Sequence, residues 1–405
     1  MATKRNLSLT TKGGGLAAAL VAGILLNGRA EAETEKFLNA ILSVREAYQS
    51  NVLFTVEDPQ EDFLTVIGPR IEGSLSGDRL NGDASLAVER EIFADKGELD
   101  ATNQLHSIAG SLQLTPGLSL GADASFHEDH GIQRELTETG VAVDRRRRRT
   151  WNVEPFLTIQ LGERTTLTPS GAFSWAEYKD PRLSDFHTQG GTVRIEHELL
   201  DGKTTFAAEA GGASWNFEPR SLLSAQSRIS LERAFSDIFT AEVAVGYRYL
   251  RRDNSPSQGK HNVEAGLRLF RDAEPLFWEI LATRGMVTSP VGAAVNQNRA
   301  HLTAGYHPLE PLVLYVLGRV VDSDSRIPED TVDSTVLDGT TGAAWLLSRH
   351  FVLQISYRYT HLFQHIRDNE TRTHEVTVSL RLQTAPIEDL VAIPFEGFRY
   401  GTQDL

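Results

Sequence analysis

The sequence predicts an all-β fold, a transmembrane antiparallel up-and-down β-barrel of about 18 strands around an aqueous lumen, from three observations. Apolar residues alternate with polar or small ones in segment after segment, the segments are about ten residues long, and the connections between them alternate short with long. The stretch 221–270 shows the pattern most fully. Phe239, Ala241, Val243, Val245, Tyr247 and Tyr249 share one face, with Thr240, Glu242, Ala244, Gly246 and Arg248 on the other. That is a period of two. Before it, Ala225, Ile229 and Leu231 oppose Gln226, Arg228, Ser230 and Glu232; after it, Val263, Ala265, Leu267 and Leu269 oppose Asn262, Glu264, Gly266 and Arg268. A soluble sandwich explains an apolar face alone. Charge on the second face of strand after strand fits a barrel closed in lipid, which leaves no backbone edge without a partner.

Composition permits this reading. The chain has 405 residues, a formal charge of -14 and a mean hydropathy of -0.26, and a membrane barrel looks polar on average because lumen and lipid residues alternate. The sequence has no Cys, which excludes disulfide frameworks, thiol nucleophiles and thiolate zinc sites. The acidic balance argues against nucleic acid, which needs a basic face. No H-E-x-x-H and no glycine-rich phosphate loop occurs, so neither an enzyme nor a cofactor is expected.

The one long apolar run lies at the start. Lys4, Arg5 and Lys12 precede or border the run 16–26, and Ala30-Glu31-Ala32 offers a small-x-small cleavage site. This predicts a signal peptide over 1–32, since spanning a bilayer takes about 20 apolar residues. A short periplasmic segment, 33–47, is expected next, with a helix over 36–48. The barrel is expected over 48–383 and a periplasmic tail over 384–405.

Strands are read at 48–57, 63–76, 84–94, 107–114, 118–127, 151–161, 166–178, 188–199 and 204–217, then three within 221–270. The rest follow at 276–286, 298–307, 312–322, 336–346, 351–361 and 373–382. Connections at 77–82, 116–117, 162–164, 201–202, 236–237, 272–275, 308–311 and 348–350 are short. Those between them, such as 131–149, 179–186, 251–260, 323–331 and 366–371, are longer and more polar. Short periplasmic turns and long outer loops give this rhythm, which places both termini in the periplasm.

On the polar phase, Arg194, Arg228, Arg248, Arg268, Arg299, Arg319, Arg358 and Arg381 accompany Glu72, Glu196, Glu232, Glu242, Glu264 and Glu375. Two readings stand: a path lined by Arg for a polar or anionic polymer, or cross-strand ion pairs that only stabilise a wet wall. Arg228 and Glu242 sit on consecutive strands, as do Arg248 and Glu264, so part of the positive charge is expected to be neutralised. Trp151, Trp175, Tyr178, Trp215, Tyr247, Tyr249, Tyr357 and Tyr359 fall near outer strand ends, where an aromatic girdle belongs. The run Arg145, Arg146, Arg147, Arg148 and Arg149 closes the longest outer loop. It suits lipopolysaccharide phosphates, gating of the mouth or an anionic glycan, against the plainer reading of a solvated loop. His127-Glu128-Asp129-His130 offers metal-ligand or acid–His chemistry, against the favoured reading of a flexible exposed loop, and no metal is assigned to it.

Taken together, the leader, the start Tyr48-Gln49-Ser50-Asn51-Val52, the evenly spaced strands and the final strand His374-Glu375-Val376-Thr377-Val378-Ser379-Leu380-Arg381-Leu382 resemble the outer-membrane β-barrel porins of bacterial exopolysaccharide gene clusters. The resemblance covers nearly all of the mature chain, and its motifs are architectural, so no binding residue carries over. It implies export of an exopolysaccharide across the outer membrane, with the secreted polysaccharide, outer-membrane lipid and lipopolysaccharide, and a periplasmic export machine as partners. The alternative is a general diffusion porin for small polar solutes. Barrel proteins commonly end their last strand on an aromatic; here a tail with Ile393, Phe395, Phe398 and Tyr400 continues, either lining or plugging the periplasmic mouth or hanging free.

Overall fold

The computed structural model describes residues 35–130, 136, 145–179, 183–217, 220–252, 259–288, 294–325, 332–366, 368–387 and 390. They form one 18-stranded antiparallel sheet in which each strand pairs with the next and the last returns to the first. The strands are β1 (Glu35–Gln49), β2 (Asp62–Ser76), β3 (Leu80–Phe93), β4 (Ala101–Thr115), β5 (Leu118–Asp129), β6 (Arg148–Gly162), β7 (Thr165–Tyr178), β8 (Phe186–Glu198) and β9 (Thr204–Phe217). Then come β10 (Arg220–Ser236), β11 (Phe239–Arg252), β12 (Lys260–Arg271), β13 (Leu276–Thr288), β14 (Ala294–Leu309), β15 (Leu312–Asp324), β16 (Asp333–Ser348), β17 (Phe351–Gln364) and β18 (Asn369–Gln383). The seam closes antiparallel, from Ile41 opposite Gln383 to Gln49 opposite Glu375. Closure leaves no sheet edge, the condition for crossing lipid with strands.

Alternation assigns the two faces. On β11, Val243 and Val245 are about half exposed (50% and 51%), while Ala244 between them and Gly246 just after them are buried. The same holds for Ile229 and Leu231 on β10, Val263 and Leu267 on β12, Leu314 and Val316 on β15, and Val376 and Val378 on β18. An apolar band therefore covers the outside of the ring, and polar side chains point inward. A closed barrel with that exterior spans a membrane, and the bacterial outer membrane is the setting for such barrels.

One end of the ring carries the short connections 77–79, 116–117, 163–164, 199–203, 237–238, 272–275, 310–311 and 349–350. Chemistry closes several of them. The Asp201 carboxylate accepts hydrogen bonds from the Lys203 and Thr204 amides, at 3.0 Å each, and from the Thr204 hydroxyl at 2.8 Å, an Asx-type turn. Glu35 and Gln383 lie at this same end. The other end carries mostly longer connections, the exceptions being 218–219 between β9 and β10 and 365–368 between β17 and β18.

Several boundaries differ from the sequence expectation. Residues 36–48 are not a helix, and 33–47 is not wholly a segment ahead of the barrel. Glu35–Gln49 is β1, hydrogen-bonded to β2 on one side and β18 on the other. Ile41 is buried on the inner face and Leu42 exposed on the outer, so both faces are apolar and the period of two is masked. The expected first strand, 48–57, is mostly the connection between β1 and β2. His127, Glu128 and Asp129 are the last residues of β5 rather than an exposed loop, and Glu128 is buried. The leader, 1–32, lies outside the described residues.

Candidate functional site

The lumen wall is built by the inward phase of every strand. Arg194, Arg228, Arg248, Arg268, Arg299, Arg319, Arg358, Arg381, Glu242 and Glu264 all fall on that phase, one residue away from outward apolar neighbours such as Val193, Ile229, Tyr247, Leu267, Val320, Tyr357 and Leu380. Carboxylates occupy the adjoining positions. Arg248 meets Glu264 at 2.7 Å, Arg268 meets Glu279 at 2.6 Å, Arg194 meets Glu196 at 2.7 Å and Arg358 meets Asp338 at 2.7 Å. The Arg248–Glu264 neighbours on β11 and β12 are thus in contact. Arg228 and Glu242 are not: Arg228 lies opposite Gly246 and Glu209, whereas Glu242 lies opposite Glu232 and Arg268. The sequence did not single out Asp338 or Glu279, although both sit in the polar phase of their strands.

The lumen is filled unevenly. At the short-turn end, Val313, Tyr315 and Leu317 of β15, Ala344 of β16 and Val352 of β17 form an apolar cluster on the inner wall, and Leu390 and Ile387 of the C-terminal tail pack onto it. Backbone hydrogen bonds seat the tail: Thr384 N–H donates to Ala40 O and Ile387 N–H to Arg349 O. Residues 384–387 and 390 therefore line this mouth; 391–405, with Ile393, Phe395, Phe398 and Tyr400, lie outside the described residues.

At the loop end a second cluster joins Val321, Val336 and Leu362 of β15–β17 to Phe54 and Leu136. Phe54 belongs to the connection between β1 and β2, and Leu136 to that between β5 and β6. β5 and β16 stand well apart in the ring, so Leu136 lies against the wall far from the strand that its connection leaves. That connection's two ends are held on β3 and β4. Arg145 pairs with Glu91 and covers the Phe93 ring at 4.8 Å. Asn103 donates to Glu91 at 2.9 Å, and His130 Nδ1 lies 3.1 Å from the Asn103 Oδ1. Glu91 and Asn103 are both buried. Burial holds the His130 pKa below its ordinary value, with Arg145 adding to the effect and Glu128, Glu91 and Asp129 opposing it.

The five-Arg run is largely engaged by the wall, with Arg146 exposed. Arg145 is taken by Glu91, Arg149 lies 2.5 Å and Arg147 3.7 Å from Glu128, and Arg148 and Arg149 already belong to β6. The aromatic set divides. Trp151, Trp175, Tyr247, Tyr249, Tyr357 and Tyr359 share the outward phase near the loop end. Trp215 points inward instead, buried with Phe217, Leu222 and Leu250, and Tyr178 shares the inward phase. Alternation could have revealed both, because Trp215 is out of phase with Phe206, and Tyr178 with Trp175.

No protein-family model and no curated protein matches the chain. Solved structures resemble it in shape. The outer membrane protein OpdK from Pseudomonas aeruginosa is 8% identical, with 86% of this chain and 99% of that one covered and a TM-score of 0.48. A BenF-like porin from Pseudomonas fluorescens Pf-5 is 11% identical, with 86% and 99% covered and a TM-score of 0.48. OccK2 (OpdF) of Pseudomonas aeruginosa is 10% identical, with 86% and 98% covered and a TM-score of 0.49. No residue role passes from them to this chain.

Proposed function

We propose that the protein is a channel, not an enzyme, and that it passes small polar solutes across the outer membrane with its loop end outward. The observation that carries this reading is the double filling of one inner wall. Phe54 and Leu136 press on β15–β17 from the loop end, and Ile387 and Leu390 press on the same three strands from the other. An open ring of about eighteen strands leaves room for a polymer, but this ring is narrowed at both mouths by its own chain. That favours a small-solute porin over the exopolysaccharide conduit implied by the sequence resemblance. Charge along the open part is mixed, since Arg194, Arg248, Arg268 and Arg358, half of the eight named Arg side chains, sit beside a carboxylate, so selectivity for charge is modest.

Swelling of proteoliposomes in sugars of increasing size tests the reading. Monosaccharides should enter and oligosaccharides should be excluded. Equal entry of long oligosaccharides would restore the polymer conduit.

A further inference from the structure

Two places on the outer face repeat one arrangement. On β11 and β12, Tyr249 stands opposite His261 with ring centroids 5.1 Å apart at 44°, and the Tyr247 hydroxyl is hydrogen-bonded to His261 Nδ1. On β17 and β18, Tyr359 stands opposite His374, again 5.1 Å apart at 44°, and the Tyr357 hydroxyl lies 2.7 Å from His374 Nδ1. The two Tyr-Arg-Tyr strands are six strand positions apart in the ring. In each, the central Arg points into the lumen while the tyrosines point out.

An arginine completes each group. Arg251 follows Tyr249 by two residues, and Arg372 precedes His374 by two, so each lies on the outward phase one step nearer the loops. Both are exposed. Arg372 contacts Glu370 at 2.8 Å, and Arg251 has no ion pair among the described residues. On the turn side of each group the wall is apolar and exposed: Val245 and Val263 below the first, Ile355 and Val376 below the second. The occupant of that wall is acyl chain, because only lipid faces the outside of a membrane barrel at this depth. At the upper edge of the same wall stand one guanidinium and one imidazole per group. In the tautomer where the tyrosine hydroxyl donates to Nδ1, the imidazole carries its hydrogen on Nε2 and presents it as a donor. A guanidinium fork beside a second N–H donor suits a phosphate.

We infer that these two Tyr–His–Arg groups are seats for the phosphate headgroup of a membrane lipid whose acyl chains run down the valine and isoleucine faces beneath them. The seats do not depend on what the channel conducts. Arg251 and His261 hold one headgroup, Arg372 and His374 the other, and the tyrosine rings fix the imidazoles at the interface, where aromatic side chains prefer to sit.

Native mass spectrometry of the detergent-solubilised full-length barrel, titrated with phosphatidic acid, reads the seats directly. The wild-type protein should retain two phosphatidic acid molecules under conditions that strip phosphatidylcholine. R251Q/R372Q should reduce that retention about tenfold, a loss of about 1.4 kcal/mol, and R251Q alone should leave one molecule bound. R271Q, a cation at the short-turn end, should leave retention unchanged. Equal retention by wild type and R251Q/R372Q, with heat-modifiable gel mobility showing both folded, would overturn the inference. So would inorganic phosphate competing as well as the lipid, because the acyl face would then contribute nothing.

Discussion

Arg358 on β17 and Asp338 on β16 form an ion pair of 2.7 Å on the inner wall, and the Asp338 side chain is only 2% exposed. Arg358 holds both oxygens of that carboxylate, and Thr360 donates a further hydrogen bond to it at 2.9 Å. Removing one partner leaves the other charge without its match in a packed wall, which costs about 3–5 kcal/mol. D338A should therefore lower the unfolding free energy of the barrel in detergent by about that much, and urea titration followed by tryptophan fluorescence measures it. Replacing both partners by apolar residues of similar volume should recover most of the loss. A D338A barrel as stable as wild type would show that the pair contributes nothing.

The two faces should answer differently to charge. V243R and L267R place a cation against lipid and should each cost about 2–4 kcal/mol near the midplane. S107R, on the inner face of β4, should change conductance more than stability. Gly246 is not the right inward site for this comparison, although it lies on the lumen phase. A Cβ there would come within 2.9 Å of the Ser227 carbonyl oxygen and 3.4 Å of both the Arg228 and Glu264 Cβ atoms, so any side chain disturbs the wall itself. Equal stability losses for L267R and S107R would argue for a soluble core.

Much of this was legible in the sequence, and the limits have physical causes. The strands within 221–270 stand out because one face is apolar and the other polar along their whole length. β1 does not, because Ile41 packs inside while Leu42 faces out, and two apolar faces imitate a helix. The lumen phase of the arginines follows from alternation alone. Which carboxylate each one meets does not, because register depends on turn lengths: Glu279 reaches Arg268, whereas Glu242 lies four residue pairs along the ladder from the partner expected for it, Arg228. The landing place of Leu136 on β15–β17 is set by the closed ring and leaves no local periodic trace.

Acid should loosen the loop between β5 and β6. The His130 pKa is held below its ordinary value chiefly by burial, then by Arg145. The unfolded segment therefore binds more protons than the seated one. Seating is strongest above the unfolded histidine value of about 6.5 and weakens as pH falls below it. Amide exchange in β3 and β4 near Glu91 and Asn103 should quicken between neutral and mildly acidic pH. H130Q should flatten that dependence, and an unchanged profile in H130Q would show that His130 is not the group responsible.

Orientation is open to labelling on intact cells. Cysteine at Glu98, in the connection between β3 and β4, should react with an impermeant maleimide, whereas cysteine at Glu163, in the turn between β6 and β7, should react only after the outer membrane is opened. The reverse pattern would invert the barrel.

The central claim is that the chain narrows its own lumen, with Leu136 at one mouth and the tail at the other. Single-channel conductance in planar bilayers tests it most directly, comparing the full-length protein with a variant that carries L136S and lacks 384–405. The account predicts a small conductance for the former and a severalfold larger one for the latter, with both barrels folded. Equal conductance in the two, or none in either, would contradict it.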